Sequence, residues 1–250
     1  MSLEKTVEGC PETILLYWTD CYARTFNTSL AKVIAGRGRD MYVVVDRTAF
    51  HPKGGGQPSD RGTLFGSAWR FEVKKAMLFN RRVIHWGRLT DGEIIKGPVF
   101  GEIDWDWRYL MMKRHTGGHL LDHCLAKTTG KRVETTKSWL GDPCYVGYSG
   151  NAPPAGEMRR AEKLANDMIS RGGDVVLEEI SYEELLLRAP DAPNIYRLPP
   201  LTSVRTVTIE GCSPIPCGGT HVKDIAEIGR LSVKEVVQGE TSFNVYYDIG

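Results

Sequence analysis

Along the first hundred residues, apolar and polar positions alternate over short stretches, and glycine, proline and aspartate break them apart. Met41-Tyr42-Val43-Val44-Val45 is rich in β-branched and aromatic residues, and positions 28–34 alternate loosely. Between them lies Gly36-Arg37-Gly38-Arg39-Asp40, which is turn chemistry, so the pair predicts a hairpin. The apolar run Ile14-Leu15-Leu16-Tyr17-Trp18 reads as another strand of this block. Shorter strands follow at 63–65, 69–73 and 82–86, and positions 98–104 close the series. A run of short strands with turn residues between them predicts a small β-barrel over 1–104.

The period then changes. Trp107, Leu110, Met111, Arg114, Leu120, Leu121 and Leu125 repeat at helical spacing, with Asp106 as a candidate cap and Gly130 as a stop. A second helix is predicted at 156–171, with Met158, Ala161, Leu164, Ala165, Met168 and Ile169 along one stripe and Gly172-Gly173 after it. Ser181-Tyr182-Glu183-Glu184 reads as a capping box for a shorter helix. Strands are predicted at 133–149, 174–180, 201–209, 231–237 and 243–249. The fold class is therefore α+β: a β domain over 1–104, then helices with an antiparallel sheet over 105–250.

Composition changes this picture little. The chain is 41% hydrophobic and 25% charged, an ordinary globular balance. No apolar run approaches a membrane span, and the start has no basic segment leading into an apolar one, so neither membrane nor secretion is expected. The six cysteines, at 10, 21, 124, 144, 212 and 217, are scattered, which fits reduced thiols and a cytoplasmic protein. With 32 Lys plus Arg against 31 Asp plus Glu, the net charge of +1 neither demands nor excludes nucleic acid.

Two stretches carry candidate chemistry. His115-Thr116-Gly117-Gly118-His119 sets two imidazoles one helical turn apart, and Cys217-Gly218-Gly219-Thr220-His221 sets a thiol and an imidazole four residues apart. Mixed Cys/His ligation suits zinc best. Four protein ligands would close the shell of a structural ion, whereas three would leave a place for water. His123 and Cys212 are rival ligands on spacing alone. Thr116 stands where a His-Glu-x-x-His metalloprotease carries its general base, which argues against that chemistry. Gly117 and Gly118 each cost about 1 kcal/mol against alanine in a helix, so bare backbone is needed there for close packing or for a ligand. Upstream, Ala49-Phe50-His51-Pro52-Lys53-Gly54-Gly55-Gly56-Gln57-Pro58-Ser59-Asp60-Arg61-Gly62 is a loop whose backbone can approach a partner closely. It lacks the Gly-Lys-Ser/Thr ending of a phosphate-cradling loop.

Taken together, the two metal-capable stretches and this glycine-rich loop resemble the editing domain shared by alanyl- and threonyl-tRNA synthetases. The resemblance is closest to the free-standing alanyl-tRNA editing proteins of the AlaX family, medium type, and Glu227-Ile228-Gly229 fits it as well. It implies a trans-editing esterase that acts on tRNA(Ala) mischarged with serine or glycine, with zinc on His115, His119, Cys217 and His221. It implies a zinc-bound water held by His115, His119 and Cys217 as the nucleophile. Gly54, Gly55, Gly56, Gln57 and Thr116 are then expected at the aminoacyl end, with Thr135 or Thr136 reading the serine hydroxyl. A single chain is expected to suffice. The departures are Gly117, where the family often has alanine, and the ending Gly147-Tyr148-Ser149. A zinc-stabilised RNA-binding module without catalysis, and a metal-dependent hydrolase of small esters, are the alternatives.

Overall fold

In the computed structural model, residues 3–190, 192, 195 and 202–250 are described. They form two compact units, Met1–Gly54 with Pro58–Tyr109, and Gly55–Gln57 with Leu110–Gly250. The tripeptide Gly55–Gln57, read above with the β domain, thus belongs to the second unit.

The first unit opens with helix α1 (Leu3–Val7), which the sequence pattern did not announce. Then come β1 (Ile14–Leu15), β2 (Thr25–Ala35), β3 (Asp40–Val45), β4 (Arg47–Thr48), β5 (Gly62–Phe65), β6 (Trp69–Phe79), β7 (Arg82–Gly92) and β8 (Pro98–Ile103). The run at 14–18 is only briefly extended, because Leu16–Trp18 turns into a 3-10 helix. Strands β2, β3, β7, β6, β5 and β8 close into a barrel in that order. The predicted hairpin is β2–β3, with Val33 opposite Val43. Alternation explains the closure: along β8 every second residue is buried, and β6 begins the same way. Phe26, Val43, Val45, Phe50, Leu64, Phe71, Val83 and Val99 fill the interior. Each such side chain contributes roughly 1.5–3 kcal/mol by leaving water.

Within this unit a carboxylate and a guanidinium are both fully buried. Arg108 Nε donates to Asp60 Oδ1 at 2.9 Å, and the guanidinium also reaches Cys21 O at 2.9 Å and Ala49 O at 2.5 Å. His51 N donates to Asp60 Oδ2 at 2.5 Å. Every polar end of the pair is thus used, which is the condition for burying it.

Helix α2 (Trp105–Thr129) follows. Its first turn is held by Asp104 rather than Asp106: Trp107 N donates to Asp104 Oδ1 at 3.2 Å, and Asp106 lies inside the helix. The second unit continues with β9 (Thr135–Trp139), β10 (Tyr145–Ser149), α3 (Ala155–Arg171), β11 (Val175–Ser181), α4 (Tyr182–Arg188), β12 (Ser203–Ile209), β13 (Ile215–Pro216), β14 (Leu231–Gln238) and β15 (Ser242–Ile249). The strand expected at 201–209 begins at Ser203, and Leu201 lies outside the described residues. The strands form two sheets rather than one, ordered β14-β15-β10-β9 and β11-β12-β13. Ser181 caps α4 by accepting from Glu184 N at 3.0 Å.

The two mid-helix glycines of α2 are explained by the first of these sheets. A Cβ on Gly117 would lie 3.0 Å from Ile249, and one on Gly118 would lie 2.9 Å from the Tyr247 hydroxyl. The bare helix face lets α2 sit directly on β15, and Tyr247 Oη donates to Arg114 O at 2.7 Å. Close packing, not a ligand, accounts for this pair.

Candidate metal centre

His115 and His119 project from one face of α2, with ring centroids 5.0 Å apart. The segment 217–221 follows β13 as a loop and brings the His221 ring to 4.4 Å from His115 and 5.3 Å from His119. Cys217 Sγ lies 3.5 Å from His115 Nε2 and 3.2 Å from His221 Nε2. The four donor atoms all fall within 4.8 Å of one another. His115 and His221 are buried, while His119 and Cys217 are half-buried, so the cluster opens on that side.

Backbone and side chains around the cluster explain why it forms. A Cβ on Gly219 would stand 2.1 Å from His115 Cε1, so only glycine lets the loop pass the ring. Arg205, from β12, donates to Cys217 O at 2.8 Å and Gly219 O at 2.9 Å, and Cys217 N donates back to Arg205 O at 3.0 Å. Beyond His221, Asp224 and Glu227 form a capping box on the 3-10 helix Ile225–Ile228.

The imidazoles are oriented from behind. Gln57 is fully buried, and its Nε2 donates to Thr220 Oγ1 at 2.8 Å. Its Oε1 accepts from Thr220 N at 3.0 Å and faces His115 Nδ1 at 3.0 Å. An amide oxygen can only accept, so His115 carries its proton on Nδ1 and offers Nε2 to the cluster. Thr116 Oγ1 donates to Met112 O at 3.0 Å and accepts from Val222 N at 3.3 Å. With its one proton given away, it accepts from His221 Nδ1 at 3.1 Å, and His221 too offers Nε2. His119 Nδ1 faces the buried Asp122 at 3.8 Å, and Tyr148 Oη donates to that carboxylate at 2.6 Å. His119 Nε2 is buried and has no hydrogen-bond partner among the described residues.

Burial alone would push the Cys217 thiol up, but the imidazoles of His115 and His221 beside it hold it well below its usual range. Burial pushes His221 down to about 3, so it is a neutral nitrogen donor. For His119 burial acts downward, but Asp122 and Cys217 outweigh it and raise it to about 10. The Cys217 sulfur and three imidazoles bring four donor atoms within 4.8 Å of one another. The donor set fits a metal ion on residues already in place.

The other predicted site residues are distributed differently. Gly54 and Gly55 are exposed, while half-buried Gly56 lies against Ser138 and accepts from Leu140 N at 3.0 Å. Half-buried Thr135 pairs across the sheet with Tyr148, the residue that holds Asp122. Exposed Thr136 sits in the bulge of β9, where the register shifts between Gly147 and Tyr148. His123 and Cys212 fall outside the four-donor cluster; burial and Lys127 lower the former, and burial lifts the latter to about 11. Sequence reasoning missed Asp122, Tyr148 and Arg205. Only Asp122 carried a signal, three residues past His119 on the same helical face.

Comparison with known proteins places this chain in a family. A profile described as "tRNA synthetases class II (A)" matches residues 13–107. The chain is 34% identical over 249 residues to the alanyl-tRNA editing protein AlaX-M of Methanosarcina acetivorans, across 95% of this chain and 99% of that protein. It is 34% identical over 231 residues to the alanyl-tRNA editing protein AlaX-L of Pyrococcus horikoshii, across 87% of this chain and 53% of that one. It is also 31% identical over 242 residues to the alanine–tRNA ligase of Pyrobaculum calidifontis, across 92% of this chain and 26% of the ligase. The chain belongs to the alanyl-tRNA editing protein family. No helix among the described residues is long and apolar enough to cross a membrane.

Proposed function

We propose that this protein hydrolyses the ester of tRNA(Ala) wrongly charged with serine, or with glycine, at a zinc ion held by His115, His119, Cys217 and His221. The observation that carries the reading is the buried thiolate–imidazole cluster with His119 Nε2 unpaired, in a chain that matches an alanyl-tRNA editing protein along its length. Zinc bound there supplies Lewis-acid chemistry and acidifies water near neutral pH.

The chain's own residues do the rest. Gln57 and Thr116 fix the tautomers of His115 and His221, so both Nε2 lone pairs face inward before any ligand arrives. Asp122, steadied by Tyr148, faces the outer nitrogen of His119. The half-buried side at His119 and Cys217 is where an ester enters. Gly54, Gly55 and Gly56 line its approach. Thr135 or Thr136 accepts the serine hydroxyl, and a site built around that bond leaves a polar group unpaired with alanine, which spares the correct product.

The test is ester loss from Ser-tRNA(Ala), Gly-tRNA(Ala) and Ala-tRNA(Ala), with zinc quantified in the same preparations. The serine ester, and the glycine ester if it is a substrate, are expected to disappear and the alanine ester to persist. Zinc-replete protein that binds tRNA and hydrolyses none of the three would replace this reading with that of an RNA-binding module.

A further inference from the structure

The face of α2 that carries the metal-site imidazoles does not end at them. His115, His119, Asp122 and Ala126 follow one another at helical spacing. From Asp122 onward this stripe is the wall of a cleft of about 790 Å³, a size typical of ligand sites. At 1.5 Å per residue, Ala126 lies only about 10 Å along the helix from His119.

The lining of the cleft has two parts. Ala126, Val133 and Ile215 give it an apolar floor, while Lys127, Lys131, Arg132 and Arg188 stand around it. The single carboxylate among the described lining residues, Asp122, is occupied by the Tyr148 hydroxyl and faces His119. Arg188 is spoken for by Glu178 at 2.7 Å and Glu184 at 3.2 Å. Lys127 and Lys131 are exposed and have no carboxylate partner among the described residues. A larger groove of about 1230 Å³ on the barrel has the opposite balance: Arg61, Arg70 and Lys74 against Glu72, Asp91, Glu102 and Asp104. A polyanion is drawn to the first and not to the second.

We propose that the cleft over the C-terminal half of α2 holds the single-stranded 3′-terminal nucleotides of the RNA, with phosphates on Lys127 and Lys131 and bases over the apolar floor. This rests on the reading of the site as an aminoacyl-tRNA esterase, because the strand then runs along α2 with its ester end toward His119. A cationic groove that tracks the backbone is how single strands are held without duplex geometry.

Binding of uncharged tRNA(Ala) separates this proposal from the reading it rests on. Removing the three 3′-terminal nucleotides is expected to weaken binding to the unaltered protein about tenfold, and binding to the Lys127→Ala/Lys131→Ala double variant less than twofold. The log–log salt slope of the double variant should be shallower by about 1.4, at roughly 0.7 per single-strand phosphate contact. Lys127→Arg/Lys131→Arg should restore both, and Lys163→Ala, a lysine paired with Asp167 on α3, should change neither. In the ester assay the double variant should raise KM about tenfold with kcat within twofold. Equal losses on truncation for the two proteins, or none for either, would overturn the cleft. Absence of ester hydrolysis by the unaltered protein would instead overturn the esterase, and the truncation experiment would still decide where the 3′ end lies.

Discussion

The barrel unit and the second unit both bury ionisable groups, and they treat them oppositely. In the barrel unit, Asp60 and Arg108 consume each other and the backbone around them. His85 sits between Val43 O, at 3.1 Å from Nδ1, and Thr48 Oγ1, at 2.9 Å from Nε2, so its neutral form is fully bonded and burial holds it at about 4. In the second unit, the outer nitrogens of His115 and His221 are bonded just as firmly, yet the inner ones converge on a thiolate, and His119 Nε2 has nothing. Buried polarity that closes on itself is architecture. Buried polarity bonded on one side and left open on the other is a site.

That contrast can be broken at several points. Cys217→Ala should have the largest effect, a loss of bound zinc by metal analysis and a fall in ester hydrolysis of more than about a hundredfold, exceeding what removal of a mere supporting group costs. Unchanged metal content would take Cys217 out of the site. Asp60→Ala leaves Arg108 charged and unpaired, and should lower the unfolding free energy by roughly 3–5 kcal/mol in denaturant titration. The molecules that remain folded should keep their zinc; concerted loss of both would erase the distinction drawn above. Gln57→Ala should weaken zinc affinity about 10- to 100-fold in chelator competition with little change in stability. A variant that binds zinc normally would return Gln57 to the role of lining the aminoacyl pocket.

The pH-dependent effect is that of His85. Its folded-state value of about 4 lies below the unfolded one near 6.5, so the unfolded chain binds more protons between them. Stability from this residue is whole above pH 6.5 and falls by about 1.4 kcal/mol per pH unit toward pH 4. Acid titration of His85→Gln should lack that slope, and the same slope in both proteins would assign it elsewhere.

The difference between the two kinds of burial was only partly legible in the chain. Alternation announced the barrel strands, because a two-residue period needs no knowledge of partners. The 3-10 turn at Leu16–Trp18 was hidden within a run that reads as strand. His115, His119, Cys217 and His221 could be paired across a long gap because metal-capable residues at four-residue spacing are rare. Gly117 and Gly118 signalled close approach without saying to what, and the answer lies on β15, at the far end of the chain. Gln57 read as a pocket residue of a ligand-approaching loop, and not as a support for His115, because its partners, His115 and Thr220, are remote in sequence. Hydrogen bonds over such separations leave no local pattern to read.

The bare glycine face of α2 bears on the order in which the protein is made. His115 leaves the ribosome 102 residues before Cys217, a delay of about 5–20 s at ordinary elongation rates. Through that interval the segment holding His115 and His119 has two glycines at its centre and lacks the strand β15 that covers them. A nascent chain thus presents two imidazoles on a weak helix, without the thiol. On the proposed zinc reading, the full donor set exists only after Cys217 and His221 have emerged.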